Sequence, residues 1–215
     1  MPTSKTFNYP HFDVTHIINP KLKNISILIK PHGEVILKSP RNSYAYLKDV
    51  LDSKRHWIEK KLVEFSLLKR AEFGKEIEYF GEIISIDALP ELKAKILKAK
   101  DDEKRQKAVD TFYKKNIQEY LPERVAYFSK LMGLEYKEIK YRKMRRRWGS
   151  CSSSKILTFN SYLMKASHKQ IDYVIIHELA HLKEMNHSKH FYTLIENIMP
   201  NYKEVQRAMN KINLV

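Results

Sequence analysis

His177, Glu178 and His181 stand in the order H-E-x-x-H. On a helix of about 3.6 residues per turn, positions i and i+4 lie one above the other, so both imidazoles project from one face toward a single ion. Neutral imidazole is a good zinc ligand, and a catalytic zinc takes three protein ligands with a fourth position left for water. Glu178 sits about 100° around the helix from His177, beside that open position. A carboxylate there can take a proton from water activated at the ion and hand it to the leaving group. The plainer reading makes His177 and Glu178 exposed helix residues and His181 a packed one. The apolar approach Val174, Ile175, Ile176 and the following Leu182 are the setting the motif needs, and they favour the metal.

The third ligand has several candidates. His187 follows His181 by the spacing of the longer H-E-x-x-H-x-x-G-x-x-H pattern, but Glu184 occupies the glycine position. An unbroken helix would swing His187 away from the metal face, so the chain must turn near Met185 and Asn186, where Asn tolerates a left-handed cap. His190 is a rival, and Glu196 or Glu204 from a later helix would be the carboxylate solution.

Upstream, Arg145–Ser154 holds Gly149 and a run of serines, which reads as a tight turn between two strands, Lys137–Arg142 and Ile156–Asn160. Either strand could offer an edge to an extended peptide. A guanidinium from Arg146 or Arg147 near the metal could stabilise an oxyanion. Arg146, Trp148 and Asn160 are the substrate or oxyanion candidates, with Tyr173, Tyr192 and Tyr202 as weaker ones. Against this stands a packed Trp148 beside solvated arginines. Cys151 is the sole cysteine, which rules out an internal disulfide and a cysteine zinc cage. It reads as a small packed residue rather than a nucleophile.

The run from Arg146 to Tyr192 resembles the YgjP-like metallopeptidases, which carry an R-W-G-S-C stretch, a strand ending in Asn, and H-E-L-x-H-L followed by N-H-S and an aromatic. Relatives of that family include the SprT-like zincins. The resemblance is strongest over the last third of the chain. Lys54, Trp57 and Ile58 and the segment Phe73–Ile86 also fit. It implies one zinc ion on His177, His181 and His187, Glu178 as catalytic base, and a peptide or protein substrate.

Composition sets outer bounds. A 215-residue chain that is 43% hydrophobic is too apolar to be disordered and long enough for one large domain or two small ones. No run reaches the length of a membrane span, and MPTSKTFNYPHF lacks the apolar core of a signal peptide, so a cytoplasmic protein is the default. A net charge of +15 favours acidic partners, with weak nucleic-acid association among them, although a solvated basic surface is the simpler explanation.

The expected class is α+β: a small N-terminal hairpin and helix unit over residues 1–90, then a helix-rich zincin-like domain over 91–215. The first twenty residues, with Pro2, Pro10 and Pro20, read as an extended arm. Alternation of Ile25, Ile27 and Ile29, a turn at Pro31-His32-Gly33 and the segment Glu34–Lys38 give a hairpin. Asn42 or Ser43 caps a helical region through Leu47, Leu51, Ile58, Leu62 and Phe65, with Ser53 able to start a second helix. A second hairpin spans Ile77–Ile86 around Gly81. Lys93–Lys107 is a solvated helix face or a loop. From Ala108 an amphipathic helix runs through Val109, Phe112, Tyr113, Tyr120, Val125, Phe128 and Leu131, kinked or divided at Pro122 and stopped at Gly133. After the motif, Ser188 caps a helix that Pro200 ends, and a last helix covers Tyr202–Ile212. Two other readings compete with a general peptidase. One is a nucleic-acid-associated protease like the SprT-like relatives, and the other a basic binding module with a structural zinc.

Overall fold

The computed structural model describes residues 3–30, 33–40, 43–66 and 71–212. The chain divides into two compact units, Met1–Lys69 and Arg70–Val215. Both mix helices with small sheets. Among the described residues no helix is long and apolar enough to cross a membrane.

The first unit is a four-stranded sheet under one long helix. Strands β1 (Thr3–Tyr9), β2 (Phe12–Ile18), β3 (Ser26–Ile29) and β4 (Val35–Ser39) lie in the order β1-β2-β4-β3, with β2 and β4 parallel. The first twenty residues are therefore not an extended arm. Pro10 does not break the structure; it sits in a two-residue turn with His11, whose φ of 83° closes the hairpin. Buried Tyr9 and Val14 then join the core. The expected β3–β4 hairpin is present, with Gly33 at φ 90° in its turn; Pro31, His32 and Asn42 lie outside the described residues. Helix α1 (Tyr44–Ser66) is continuous and packs Leu47, Leu51 and Ile58 into the cluster of Tyr9, Val14, Val35 and Leu37. It does not restart at Ser53, because that hydroxyl donates back to the Val50 carbonyl at 2.8 Å instead of capping a new turn.

The second unit begins earlier than Pro90. The hairpin β5 (Glu76–Tyr79) and β6 (Glu82–Ser85) belongs to it, since its turn docks on the segment leading to the motif helix. Phe80 N–H donates to Met164 O at 2.8 Å and Gly81 N–H to Lys165 O at 3.1 Å. A Cβ at Gly81 would stand 2.9 Å from the Ser167 Cβ, so this approach requires glycine. Helix α2 (Pro90–Lys98) and helix α3 (Asp102–Met132) follow. The charged stretch is thus mostly helical, with Asp101 capping α3 through the Lys104 N–H.

Helix α3 runs through Pro122 without dividing. Its buried stripe, Val109, Tyr113, Ile117, Leu121, Val125 and Phe128, continues on both sides, and this burial outweighs a proline penalty of about 3 kcal/mol. Pro122 and Gln118 both face solvent, so the carbonyl freed by the missing N–H is open to hydration. Gly133, at φ 63°, caps the helix as expected.

Strands β7 (Glu138–Arg142), β8 (Gly149–Cys151) and β9 (Ile156–Asn160) form a sheet in the order β7-β9-β8, with β7 parallel and β8 antiparallel to β9. Gly149 thus lies in a strand rather than in a turn. Helix α4 (His168–Ala180) carries the motif, and α5 (Lys189–Ile198) and α6 (Tyr202–Met209) pack beside it. Helix α6 ends three residues short of Ile212, with Asn210 as its cap. Buried Ile171, Val174, Ile175, Ile176, Leu179 and Ala180 make α4 apolar on nearly every side, which places it at the centre of the unit.

Candidate metal centre

Helix α4 starts at Ser167, whose N–H donates to Gln170 Oε1 at 2.8 Å, and it ends at Ala180 with His181 as the cap. The chain turns at once: Lys183 and Glu184 N–H both donate to Ala180 O. The reversal thus begins at the helix end and continues through bends at Met185 and Asn186, where a turn is expected, although Asn186 is not left-handed. Ser188 then opens α5, its hydroxyl accepting the Phe191 N–H at 3.2 Å. This reversal brings His187 back over the helix end.

His177, His181 and His187 converge, with one ring nitrogen from each lying within 4.8 Å of the other two. Nε2 of His177 and Nε2 of His187 are 3.2 Å apart. Ligands about 2.0–2.1 Å from one tetrahedral ion are separated by about 3.3–3.4 Å, so this pair fits a shared ion. The Glu184 carbonyl, 3.0 Å from His181 Nδ1, can only accept; Nδ1 carries the proton and Nε2 is left for the metal. Phe191, fully buried, lies under all three rings, with centroids 4.5–4.9 Å away. Burial, helped by His181 and His187, pushes the His177 imidazole down to about 3. Burial likewise lowers His181. Both rings are held neutral, the form that binds metal.

Glu178 is buried, and burial pushes its carboxyl up to about 8 against the opposing field of Arg147. Its Oε2 is a buried acceptor without a hydrogen-bond partner. An orphan oxygen in the same cleft as three converging imidazoles suits a site completed by an ion and a proton-bearing reactant. The carboxyl lies against the backbone of β8: a Cβ at Gly149 would fall 2.6 Å from both Cγ and Oε1 of Glu178. The histidines and Glu178 open into a cleft of about 420 Å³. One wall is Arg147–Cys151; the other includes Tyr173, Met185, Gln206 and Asn210.

Candidates named from the sequence divide accordingly. Trp148 lines the cleft, whereas Arg146 does not; its neighbour Arg147 does. Asn160 is fully buried behind the wall. Its Nδ2 donates to Met144 O at 2.7 Å and Arg147 O at 3.0 Å, and its Oδ1 accepts from Met144 N–H at 3.3 Å and Tyr162 N–H at 3.2 Å. Its side chain is fully occupied in clamping the loop and has nothing left for substrate. His190, Glu196 and Glu204 are exposed and lie outside the histidine cluster. Tyr173 reaches His177 Nδ1 at 3.5 Å, while Tyr192 stacks on Tyr202. Cys151 lines the cleft with its thiol pushed up to about 11 by burial and then by Glu178, which leaves it a weak nucleophile.

A family profile described as YgjP-like, metallopeptidase domain, matches residues 23–212. The chain belongs to the YgjP-like metallopeptidase family. It is therefore a metallopeptidase, and the family implies a metal at a site like the histidine triad. Among curated proteins none matches this YgjP-like chain. Two solved structures are similar over part of it. The metallopeptidase zymogen abylysin of Pyrococcus abyssi is 24% identical over 43% of this chain and 97% of its own, with a TM-score of 0.39. The metallopeptidase zymogen jannalysin of Methanocaldococcus jannaschii is 23% identical over 41% and 92%, with a TM-score of 0.38.

Proposed function

We propose that this YgjP-like chain is a zinc-dependent peptidase, with the ion held by His177, His181 and His187 and with Glu178 as general base. The observation that carries this is the convergence of three ring nitrogens beside a buried carboxyl whose Oε2 has no partner. A zinc ion bound there would supply Lewis acidity, lowering the pKa of a water molecule toward neutrality and polarising the scissile carbonyl. With the ion's positive charge favouring its carboxylate form, Glu178 would accept the proton of the attacking water and pass it to the leaving amine. Zinc, rather than a hard cation, fits an all-imidazole donor set.

Strand β8 gives a place for substrate. One of its edges pairs with β9, and residues Gly149–Cys151 line the cleft, so an extended peptide can add itself along the other edge beside Glu178. This narrows the sequence expectation, since β9 is flanked on both sides and β8, unrecognised in the sequence, is the strand next to α4. Arg147 and the N–H groups at the root of the wall are the candidates for the developing oxyanion. A structural zinc would have its fourth position closed by protein. Here only three ligands cluster among the described residues, and they face a cleft.

The test is elemental analysis of the purified protein together with cleavage of a peptide library, with and without chelator. Near-stoichiometric zinc and chelator-sensitive cleavage are expected. Cleavage that survives complete metal removal would overturn the reading.

A further inference from the structure

From Ile139 to Ile171 the chain has no acidic residue, while it carries Lys140, Arg142, Lys143, Arg145, Arg146, Arg147, Lys155, Lys165 and Lys169. Some of this charge is answered within the fold. Lys140 pairs with Glu138, Lys143 with Asp110, and Lys165 with Glu78. The arginines of the loop before β8 are not: among the described residues Arg145, Arg146 and Arg147 form no ion pair. Arg147 alone of these lines the cleft, and its side chain is exposed.

Its backbone is fixed even though its head is free. Asn160 Nδ2 holds the Arg147 carbonyl at 3.0 Å, and Asn160 N–H donates to Trp148 O at 2.8 Å, so the side chain projects from a defined root. The only acid in the cleft lining is Glu178, which is buried against Gly149 and feels the field of Arg147 without forming an ion pair with it. A planar guanidinium without a partner in a partly enclosed cleft matches a carboxylate through two parallel hydrogen bonds.

We propose that Arg147 selects peptide substrates carrying an aspartate or glutamate side chain close to the scissile bond. This rests on the peptidase reading above and names its substrate class. A peptide running along the free edge of β8 passes the root of Arg147 just before it reaches Glu178, so the acidic residue lies within a residue or two of the bond cut. Arg145 and Arg146, outside the cleft, add a longer-range attraction for acidic chains. The cleft of about 420 Å³ has room for an acidic side chain beside Arg147, and the position of Arg147 next to Glu178 favours an acidic peptide over nucleic acid.

The experiment separates binding from turnover. Zinc-loaded Glu178→Gln protein is titrated with dye-labelled octapeptides in which Glu replaces Gln at one position at a time, followed by anisotropy. The Glu peptide is expected to bind about tenfold tighter at one or two adjacent positions. Arg147→Ala should erase that preference, and Arg147→Glu should shift it to Lys. Equal affinity for Glu and Gln peptides, a preference surviving in Arg147→Ala, or an oligonucleotide binding through Arg147 while acidic peptides do not, would each overturn the proposal. In the active protein, kcat/KM for the matched pair must show the same ratio. A uniform fall in kcat on both peptides in Arg147→Ala would assign Arg147 to the oxyanion instead. If no peptide is cleaved but the acidic preference in binding persists, the peptidase reading fails and the assignment of Arg147 stands.

Discussion

The absent side chain of Gly149 and the carboxyl of Glu178 share one space: a Cβ on the strand residue would lie 2.6 Å from Oε1. The glycine is thus required by the close approach of a backbone to a buried acid, not by a turn. Gly149→Ala must displace the carboxyl or the strand beside it. A displacement of about 1 Å at a reacting group costs on the order of 100-fold in rate. Peptide turnover should fall by about that factor, while zinc content and circular dichroism stay unchanged. Wild-type turnover would show that the carboxyl position is not critical.

His187 and His190 are both exposed, yet only His187 joins the cluster. His187→Ala should weaken zinc binding by more than about 100-fold, beyond the usual effect of losing a supporting contact. His190→Ala should leave it unaltered. Competition with a chromophoric chelator measures both, and the reverse ranking would reassign the third ligand.

Asn160 spends its whole amide on the loop before β8. Replacing it with Leu leaves two carbonyls without donors and should cost about 2–4 kcal/mol, read from the urea midpoint. The wall carrying Arg147 and Gly149 should loosen with it, so KM should rise as well. A neutral effect on both would mean that the loop holds itself.

Burial lowers the His16 imidazole, which meets Ser39 Oγ at 2.7 Å. The folded chain keeps this ring neutral while the unfolded chain protonates it below pH 6.5, so unfolding takes up a proton in acid. The first unit should therefore be most stable above about pH 6.5 and weaken as the pH falls below it. In a Trp148→Phe background Trp57 is the remaining tryptophan and reports on this unit. The urea midpoint should drop between pH 7.5 and 5.5, and drop less when His16 is replaced by Phe. Equal pH dependence in the two proteins would contradict this.

The legibility of the chain followed the strength of each local signal. His177, Glu178 and His181 were readable because an i, i+4 pair on an apolar helix has few other uses, and Ser188 marked the next helix through ordinary capping. Strand β8 was not readable. Gly-Ser-Cys has turn composition, and only pairing with Leu157–Phe159 makes it a strand. Pro10 was misleading for a similar reason, since proline ends a strand or seeds a turn depending on a partner that local sequence does not name. Arg147 could have been separated from Arg146 only by knowing which of them precedes the strand against Glu178. Phe191, beneath the three imidazoles, stands at an apolar position of the helix that Ser188 caps, and apolar periodicity alone does not separate support of a metal site from ordinary core.

Hydrolysis at this site needs Glu178 to move a proton that the metal cannot move for it. Zinc content and peptide turnover of Glu178→Gln, measured beside the wild-type protein, test this most directly. Full zinc occupancy with hydrolysis reduced by at least about 1,000-fold is the predicted result. Hydrolysis within about tenfold of wild type at equal zinc would contradict it.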